Sequence, residues 1–137
     1  MADIVDSVLS LLGWKLPFRF VYSNEYWMVD LGHHVFPVKK YRLLYERVIA
    51  LGAGHKDFIK AEPATEEELL LVHTPRYLKK IKSGSLSSVE LQALELPFGP
   101  DVVSFFLLMT GGTIQTVEEA LNTGLSVHLG GGFHHAF

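Results

Sequence analysis

The sequence predicts an α/β protein with a parallel sheet, and three observations carry that prediction. Short runs of aromatic and β-branched residues alternate with longer stretches of helical periodicity, which is the order typical of βαβ units. Glycine or Ser-Gly pairs end most of the helical stretches. The strands are too few for a finished parallel sheet, which is normally buried on both faces. We therefore expect the amino-terminal part of a larger, helix-rich three-layer fold.

Three segments are predicted as strands. The first is residues 18–22, where Phe-Arg-Phe-Val-Tyr is rich in aromatic and β-branched side chains and is followed by Ser23-Asn24. The second is residues 57–61. The third is residues 125–129, which lead directly into three glycines.

Five segments are predicted as helices: 38–51, 65–72, 75–81, 87–96 and 101–122. Thr65 with Glu68, and Ser87 with Glu90, have the spacing of a capping box. The longest helix contains Gly111-Gly112. Because an interior glycine costs about 1 kcal/mol relative to alanine, we expect this pair to pack closely against another element.

Composition limits the kind of protein. The chain has 137 residues, 48% of them hydrophobic, with a net charge of −3 and no cysteine. A net negative charge does not favour binding to the phosphates of nucleic acid. The absence of cysteine excludes disulfides and thiolate metal sites. Residues 1–17 have no basic start and too short an apolar run for a signal peptide or a membrane span, so they are predicted to form a helical extension of a domain covering 18–137. We expect a cytoplasmic protein without a nucleic-acid or membrane partner.

The candidate active site lies at the end of the last predicted strand. Gly130-Gly131-Gly132 follow that strand, and His134-His135 come two residues later. Ligands collect at the carboxyl edge of open α/β sheets, where glycine lets the backbone approach a substrate closely. Histidine is suited to proton transfer near neutral pH. The segment therefore predicts part of an active site.

The other histidines are expected to have structural roles. His128, between Val127 and Leu129, is expected to be a core residue with satisfied hydrogen bonds. His55 is expected on the surface, and His73 at a helix end. His33-His34 are assigned to a loop. No His-Glu-x-x-His or Asp-x-His spacing occurs, so the sequence predicts no metal site within this chain.

Four segments together resemble a known family. Val21-Tyr22-Ser23 closes the first predicted strand, and residues 36–42, Phe-Pro-Val-Lys-Lys-Tyr-Arg, open the first helix. Residues 64–77 carry an Ala … Val-His … Tyr run, and Gly111-Gly112 precede Gly-Gly-Phe-His-His-Ala at 131–136. In this order the segments resemble the zinc-dependent histone deacetylases and their bacterial acetoin-utilisation and amidohydrolase relatives. The resemblance covers about residues 18–137, but only the first third or so of the family's domain.

The resemblance implies an arginase- and deacetylase-like α/β fold with a central parallel sheet. It also implies a zinc-activated water that attacks the amide carbonyl of acetyl-lysine or a related acylated amine. Carried over by position, His134 and His135 match the family's paired catalytic histidines. In that match His135 is the general base and acid, and His134 is an electrostatic partner.

The resemblance assigns roles to four further residues. Gly132 and Phe133 would line the acyl channel, and Arg42 would line an internal cavity near the site. Asp101 would correspond to the rim aspartate that holds the substrate backbone.

Two departures from the family pattern matter. Phe36 replaces the histidine that the family places before its proline. The family's zinc ligands and its oxyanion-stabilising tyrosine follow the Gly-Gly-x-His-His-Ala motif, so zinc is implied for a parent protein only. We therefore expect this chain to be a deacetylase fragment that is inactive alone.

Two alternatives remain open. The chain could be a noncatalytic interaction module that self-associates through an open sheet edge. It could also be a small-ligand domain that holds an anion at Gly130–Gly132.

Overall fold

The computed structural model describes residues 16–32, 36–94 and 96–132. Its centre is a three-stranded parallel sheet with the order β2–β1–β3. The strands are β1 (Arg19–Tyr22), β2 (Phe58–Lys60) and β3 (Ser126–His128). The first of the described strands is therefore central, between two strands that come later in the sequence.

The described residues form five α-helices: α1 (Lys39–Ala50), α2 (Glu66–Leu70), α3 (Pro75–Ser83), α4 (Ser88–Leu94) and α5 (Pro100–Thr123). Two short 3₁₀ helices, Asn24–Trp27 and His55–Asp57, follow β1 and precede β2. The α/β fold and its parallel sheet confirm the predicted fold class. Each predicted strand is present but shorter by one or two residues.

The sheet has helices on both faces, as expected for parallel strands. On one face Tyr45 of α1 stacks on Tyr22 with ring centres 4.4 Å apart and meets Phe58 at 5.0 Å. Side chains alternate along a strand, so Val21 and its register partner His128 point to the opposite face. Helix α5 packs there against β1 and β3. The result is a helix–sheet–helix arrangement.

The glycine pair in α5 explains how that helix approaches the sheet so closely. A Cβ on Gly111 would overlap the backbone of residues 62–64, including the Ala64 nitrogen at 2.5 Å. A Cβ on Gly112 would overlap the Tyr26 hydroxyl and lie 2.5 Å from Nε2 of His128. The predicted close packing of these glycines is confirmed. The segment of residues 62–64 packs against Gly111, and Tyr26 and His128 pack against Gly112.

The helix ends follow the expected chemistry. Thr65 accepts a hydrogen bond from the Glu68 amide at the start of α2, while the Glu68 carboxylate accepts one from the Thr65 amide. Gly84 and Gly124 end α3 and α5 with positive φ angles of 67° and 91°.

Two further predictions concern the amino-terminal extension and membrane-spanning segments. The helical extension predicted for residues 1–17 falls almost wholly outside the described residues. Within the described part of the chain, no helix is both long enough and apolar enough to cross a bilayer.

Candidate functional site

The candidate site is the turn that follows β3 at the carboxyl edge of the sheet. The Leu129 amide donates to the Val21 carbonyl at 3.0 Å, which extends the ladder by one residue. The Gly131 amide then donates to the His128 carbonyl at 3.2 Å, and Gly131 has a φ of +64°. A positive φ favours glycine, so this position requires the residue type that the sequence supplies. Gly130 is buried and Gly132 is exposed, so the turn rises from the core to the surface.

The turn rests on a buried tyrosine and a histidine. Tyr26 is fully buried in the 3₁₀ helix after β1, and its hydroxyl lies 2.7 Å from Nε2 of His128. The other ring nitrogen, Nδ1, lies 3.2 Å from the Thr113 hydroxyl on α5. A Cβ on Gly130 would meet His128 Nε2 at 2.7 Å, Tyr26 Cε2 at 2.8 Å and Met109 Sδ at 2.9 Å. Glycine at 130 therefore lets the turn lie directly on the tyrosine–histidine pair.

Burial keeps both groups uncharged. Desolvation lowers the pKa of His128 from its ordinary value to about 4, so its imidazole is neutral at pH 7. Desolvation, together with the nearby Tyr41 and Tyr22 hydroxyls, raises the pKa of Tyr26 well above its ordinary value. The contact is thus a hydrogen bond between two neutral groups. His128 is half-buried rather than fully in the core, and each of its ring nitrogens has a hydrogen-bond partner, as expected for a structural histidine.

The two predicted catalytic histidines are not among the described residues. His134, His135 and Phe133 follow Gly132, the last described residue. Their roles remain predictions. The structure does describe the edge from which these residues continue, and Gly132 is exposed there.

Arg42 lies on the exposed side of α1. Its Nε donates to Oε1 of Glu46 at 2.7 Å, and its guanidinium lies 5.1 Å from the Trp27 ring centre. About half of the Arg42 side chain is exposed. The hydrogen bond and the charge of Glu46 raise the pKa of this guanidinium. The proposed cavity role of Arg42 stays a prediction.

Asp101 is exposed in the first turn of α5. Helix α5 runs antiparallel to β3, because Gly112 lies beside the end of β3 while Gly124 leads into its start. Eleven residues separate Asp101 from Gly112, or roughly 16 Å at 1.5 Å per residue. The amino end of α5 therefore projects beyond the same sheet edge as the glycine turn, and the rim role of Asp101 stays a prediction.

Metal donors do not cluster within the described ranges. Across residues 16–32, 36–94 and 96–132, no group of three His, Cys, Asp or Glu side chains is placed to hold a metal ion. His55 is exposed, as expected, and His73 packs beside Tyr77 with ring centres 5.0 Å apart. The described side chains therefore do not fit a zinc centre by themselves.

The sequence did not indicate that Tyr26 and Thr113 belong to this site. Tyr26 belongs to a 3₁₀ helix, an element too short to give a periodic signal. Its only local mark is Ser23, whose hydroxyl accepts from the Glu25 amide at 3.2 Å as an N-cap. Thr113 is one polar residue after a glycine pair, and nothing in its spacing indicates a bond to His128.

The amino-acid sequence matches a known family and several known proteins. The profile of the histone deacetylase domain matches residues 34–137. An uncharacterised protein of Picosynechococcus is 33% identical over 121 residues, covering 88% of this chain and 40% of that protein. The acetoin utilization protein AcuC of Bacillus subtilis is 31% identical over 132 residues, covering 86% of this chain and 34% of AcuC.

Solved structures of known proteins are also similar to this chain. The crystal structure of an HDAC homolog from Aquifex aeolicus aligns with a TM-score of 0.67 and 27% identity, covering 88% of this chain and 35% of that one. An HDAC homolog complexed with SAHA aligns with the same score, identity and coverage. The parallel α/β fold of this chain is the fold of these deacetylase homologues. The chain belongs to the histone deacetylase family, and it spans 34 to 40% of the length of these relatives.

Proposed function

We propose that this chain is the amino-terminal portion of a zinc-dependent amidohydrolase that removes the acyl group from acetyl-lysine or a related acylated amine. The observation that carries the proposal is the glycine turn at the carboxyl edge of the sheet, which leads into His134-His135. The family membership and the relative complexed with SAHA support the same class of reaction. The proposed location is the cytoplasm, which suits a chain without cysteine.

His134 and His135 are proposed to handle charge and protons. Hydrolysis of an amide needs a base to take a proton from the attacking water and an acid to protonate the leaving amine. We assign both steps to His135, and to His134 the stabilisation of the charge that develops. Gly132 and Phe133 are proposed to line the acyl channel, Asp101 to hold the substrate backbone and Arg42 to line a cavity.

Zinc is proposed as a cofactor of the longer protein only. When bound, it would supply a Lewis acid and lower the pKa of a water molecule. The described residues lack a donor set for it. We therefore propose that the purified 137-residue chain binds no stoichiometric zinc and hydrolyses no acetyl-lysine peptide.

The first test is the reading frame beyond the codon for Phe137. An Asp-x-His pair, a later Asp and a Gly-Tyr near the end support the proposal, and the longer protein should then deacetylate an acetyl-lysine peptide. His135→Ala in that longer protein should abolish turnover, whereas His55→Ala, at an exposed position outside the site, should not. Robust turnover by the short chain, lost in His135→Ala, would contradict the proposed inactivity. A longer protein that hydrolyses no acyl amide would overturn the function itself.

A second candidate function is a noncatalytic module that self-associates through its open sheet edge. Among the described strands β3 has one neighbour, and the side chains of Val117, Leu121 and Leu125 near it are 53%, 82% and 50% exposed. An unpaired edge beside exposed apolar residues favours pairing with another chain. Light scattering should then give a mass that rises with concentration, and Leu121→Lys should restore the monomer. A monomer at all concentrations would argue against this function.

A further inference from the structure

Three side chains form a continuous line of hydrogen bonds, and two of them, Tyr26 and His128, lie against the glycine turn. The Tyr26 hydroxyl lies 2.7 Å from Nε2 of His128, and Nδ1 of His128 lies 3.2 Å from the Thr113 hydroxyl. The Thr113 hydroxyl in turn lies 3.1 Å from the Met109 carbonyl. The line joins the 3₁₀ helix after β1, strand β3 and helix α5, which come from three distant parts of the sequence.

The chemistry of the last member sets the direction of the whole line. The Met109 carbonyl can only accept, and the Thr113 hydroxyl has one hydrogen to donate. All three bonds form together only if Thr113 donates to Met109 and accepts from His128. His128 must then carry its proton on Nδ1 and accept on Nε2, which leaves the Tyr26 hydroxyl as the donor. One neutral tautomer therefore satisfies every group, and the other gives up a bond.

Tyr26 and His128 of this line form the surface on which Gly130 lies. Gly130 and Gly112 approach the Tyr26–His128 pair from two sides, and a Cβ on either glycine would come within 2.7 Å of His128 Nε2. The His128 carbonyl also accepts from the Gly131 amide, so the ring and the backbone of one residue support the turn together. A change in the hydrogen bonds of the His128 ring should therefore alter the conformation of the turn directly, because the two are in contact.

We propose that Tyr26, His128 and Thr113 are positioning residues that hold the Gly130–Gly132 turn in place through a hydrogen-bond line of fixed direction. Resting on the proposed function, the inference adds that this line sets where the chain departs toward His134 and His135. None of the three residues touches the reacting atoms in this proposal. Their effect is to keep the turn in a single conformation.

The test is nuclear magnetic resonance on the ¹⁵N-labelled 137-residue chain. Long-range proton–nitrogen spectra at pH 7 should show His128 as the neutral Nδ1-H tautomer. In Tyr26→Phe the Nδ1-H tautomer should persist, because it keeps the bonds to Thr113 and Met109, but Nε2 loses its donor. Amide exchange of Leu129 and Gly131 should then accelerate by about tenfold, the equivalent of one lost hydrogen bond. The ring signals of His134 and His135 should shift in the same variant.

Two further variants and one control keep the test decisive if Tyr26→Phe fails to fold. Thr113→Val removes the other end of the line at nearly constant volume. Either tautomer then keeps one bond, to the Tyr26 hydroxyl, so the ring should gain a population of the Nε2-H tautomer. His128→Gln places an amide near the Nε2 position and should retain slow exchange at Gly131. Tyr41→Phe removes a hydroxyl from another buried tyrosine and should leave the tautomer unchanged.

The proposal is overturned if His128 in the unmodified chain is the Nε2-H tautomer, or if Tyr26→Phe leaves the exchange of Gly131 and the signals of His134 and His135 unchanged. These readouts need no substrate and no metal. Failure of the proposed deacetylase function would therefore appear in the activity assay and not in these spectra.

Discussion

At the scale of single residues, two polar groups in the described part of the chain, one half-buried and one buried, are stabilised in different ways. His128 stays neutral and makes a hydrogen bond at each ring nitrogen. Glu119 of α5 is buried but charged, and it accepts two hydrogen bonds from Arg19, at 2.8 Å from Nε and 2.6 Å from Nη2. Such a bidentate pair keeps a carboxylate ionised away from water. The two sites should respond to pH over different ranges.

His128 should make stability depend on pH between its ordinary pKa and about 4. The unfolded chain binds a proton on this ring near pH 6.5, whereas burial lowers the folded pKa to about 4. The stabilising contribution is therefore complete above pH 6.5 and is lost as pH falls toward 4, with a slope of at most about 1.4 kcal/mol per pH unit. Urea unfolding at several pH values should show this slope, and His128→Gln should lack it. An equal slope in both proteins would contradict the assignment.

The Arg19–Glu119 pair should matter most at neutral pH. The hydrogen bonds from Arg19 lower the pKa of Glu119, so its contribution is present above the ordinary carboxyl pKa and is lost as pH falls below it. Arg19→Gln should lower the free energy of unfolding at pH 7, with a smaller difference at pH 3. Arg42→Gln, which breaks the exposed pair with Glu46, is the matched control and should change stability little. Equal effects of the two variants would show that burial of Glu119 is unimportant.

At the scale of elements, α5 packs against the sheet and also against the segments that follow β1 and β2. Its glycine pair removes two side chains where the helix meets other backbone and the Tyr26–His128 pair. The cost of glycine in a helix, about 1 kcal/mol each, is offset by the contacts that close approach permits. Helix α5 therefore packs most closely at Gly111 and Gly112, where its intrinsic helix propensity is lowest.

Alanine at either glycine should destabilise the protein despite its better helix propensity. Gly112→Ala would force apart Tyr26 and His128, and we expect a loss of about 1–3 kcal/mol. Gly111→Ala meets backbone atoms, which yield less than a side chain does, so its loss should be larger. Gly99→Ala, at an extended position with nothing within 4 Å, is the control and should cost less than about 1 kcal/mol. Urea unfolding of the three variants checks this order, and a stabilised Gly112→Ala would contradict the close packing.

Sequence patterns were sufficient for the long elements but not for the support of the site. Periodicity and glycine stops located α1 and α5, because both signals arise within the element itself. The close packing of Gly111-Gly112 was also predictable, from the cost of glycine in a helix. The partners of that packing were not, because Tyr26 and His128 meet only after the whole chain has folded. The 3₁₀ helix at Asn24–Trp27 was not predictable, because four residues are too few to show a hydrophobic periodicity.

At the scale of the whole molecule, the sheet depends on strands far apart in the sequence. The Ser126 hydroxyl donates to the Arg19 carbonyl at 2.9 Å across a separation of 107 residues. Strand β1 therefore gains its second neighbour only from the last described strand. Helix α5 likewise returns to pack on both β1 and β3.

Removal of β3 should therefore unfold more than the last few residues. In a chain that ends at Gly124, β1 becomes an edge strand and Tyr26 loses its His128 partner. We expect near-ultraviolet circular dichroism from the buried tyrosines to collapse. A chain that ends at Gly132 is the control and should retain the signal. Retention of the signal in both would show that β1, β2 and the helices form a stable unit without β3.

The central position of β1 also has a consequence for synthesis. The ribosome makes residues 19–22 early, but the strand that completes their pairing is made more than a hundred residues later. At roughly 5–20 residues per second, β1 waits for several seconds or longer with one side unpaired. During that interval its aromatic side chains are available to other nascent chains or to chaperones. Slow decoding near residues 126–128 would lengthen this exposure and should reduce the yield of folded protein without any change in its amino-acid sequence.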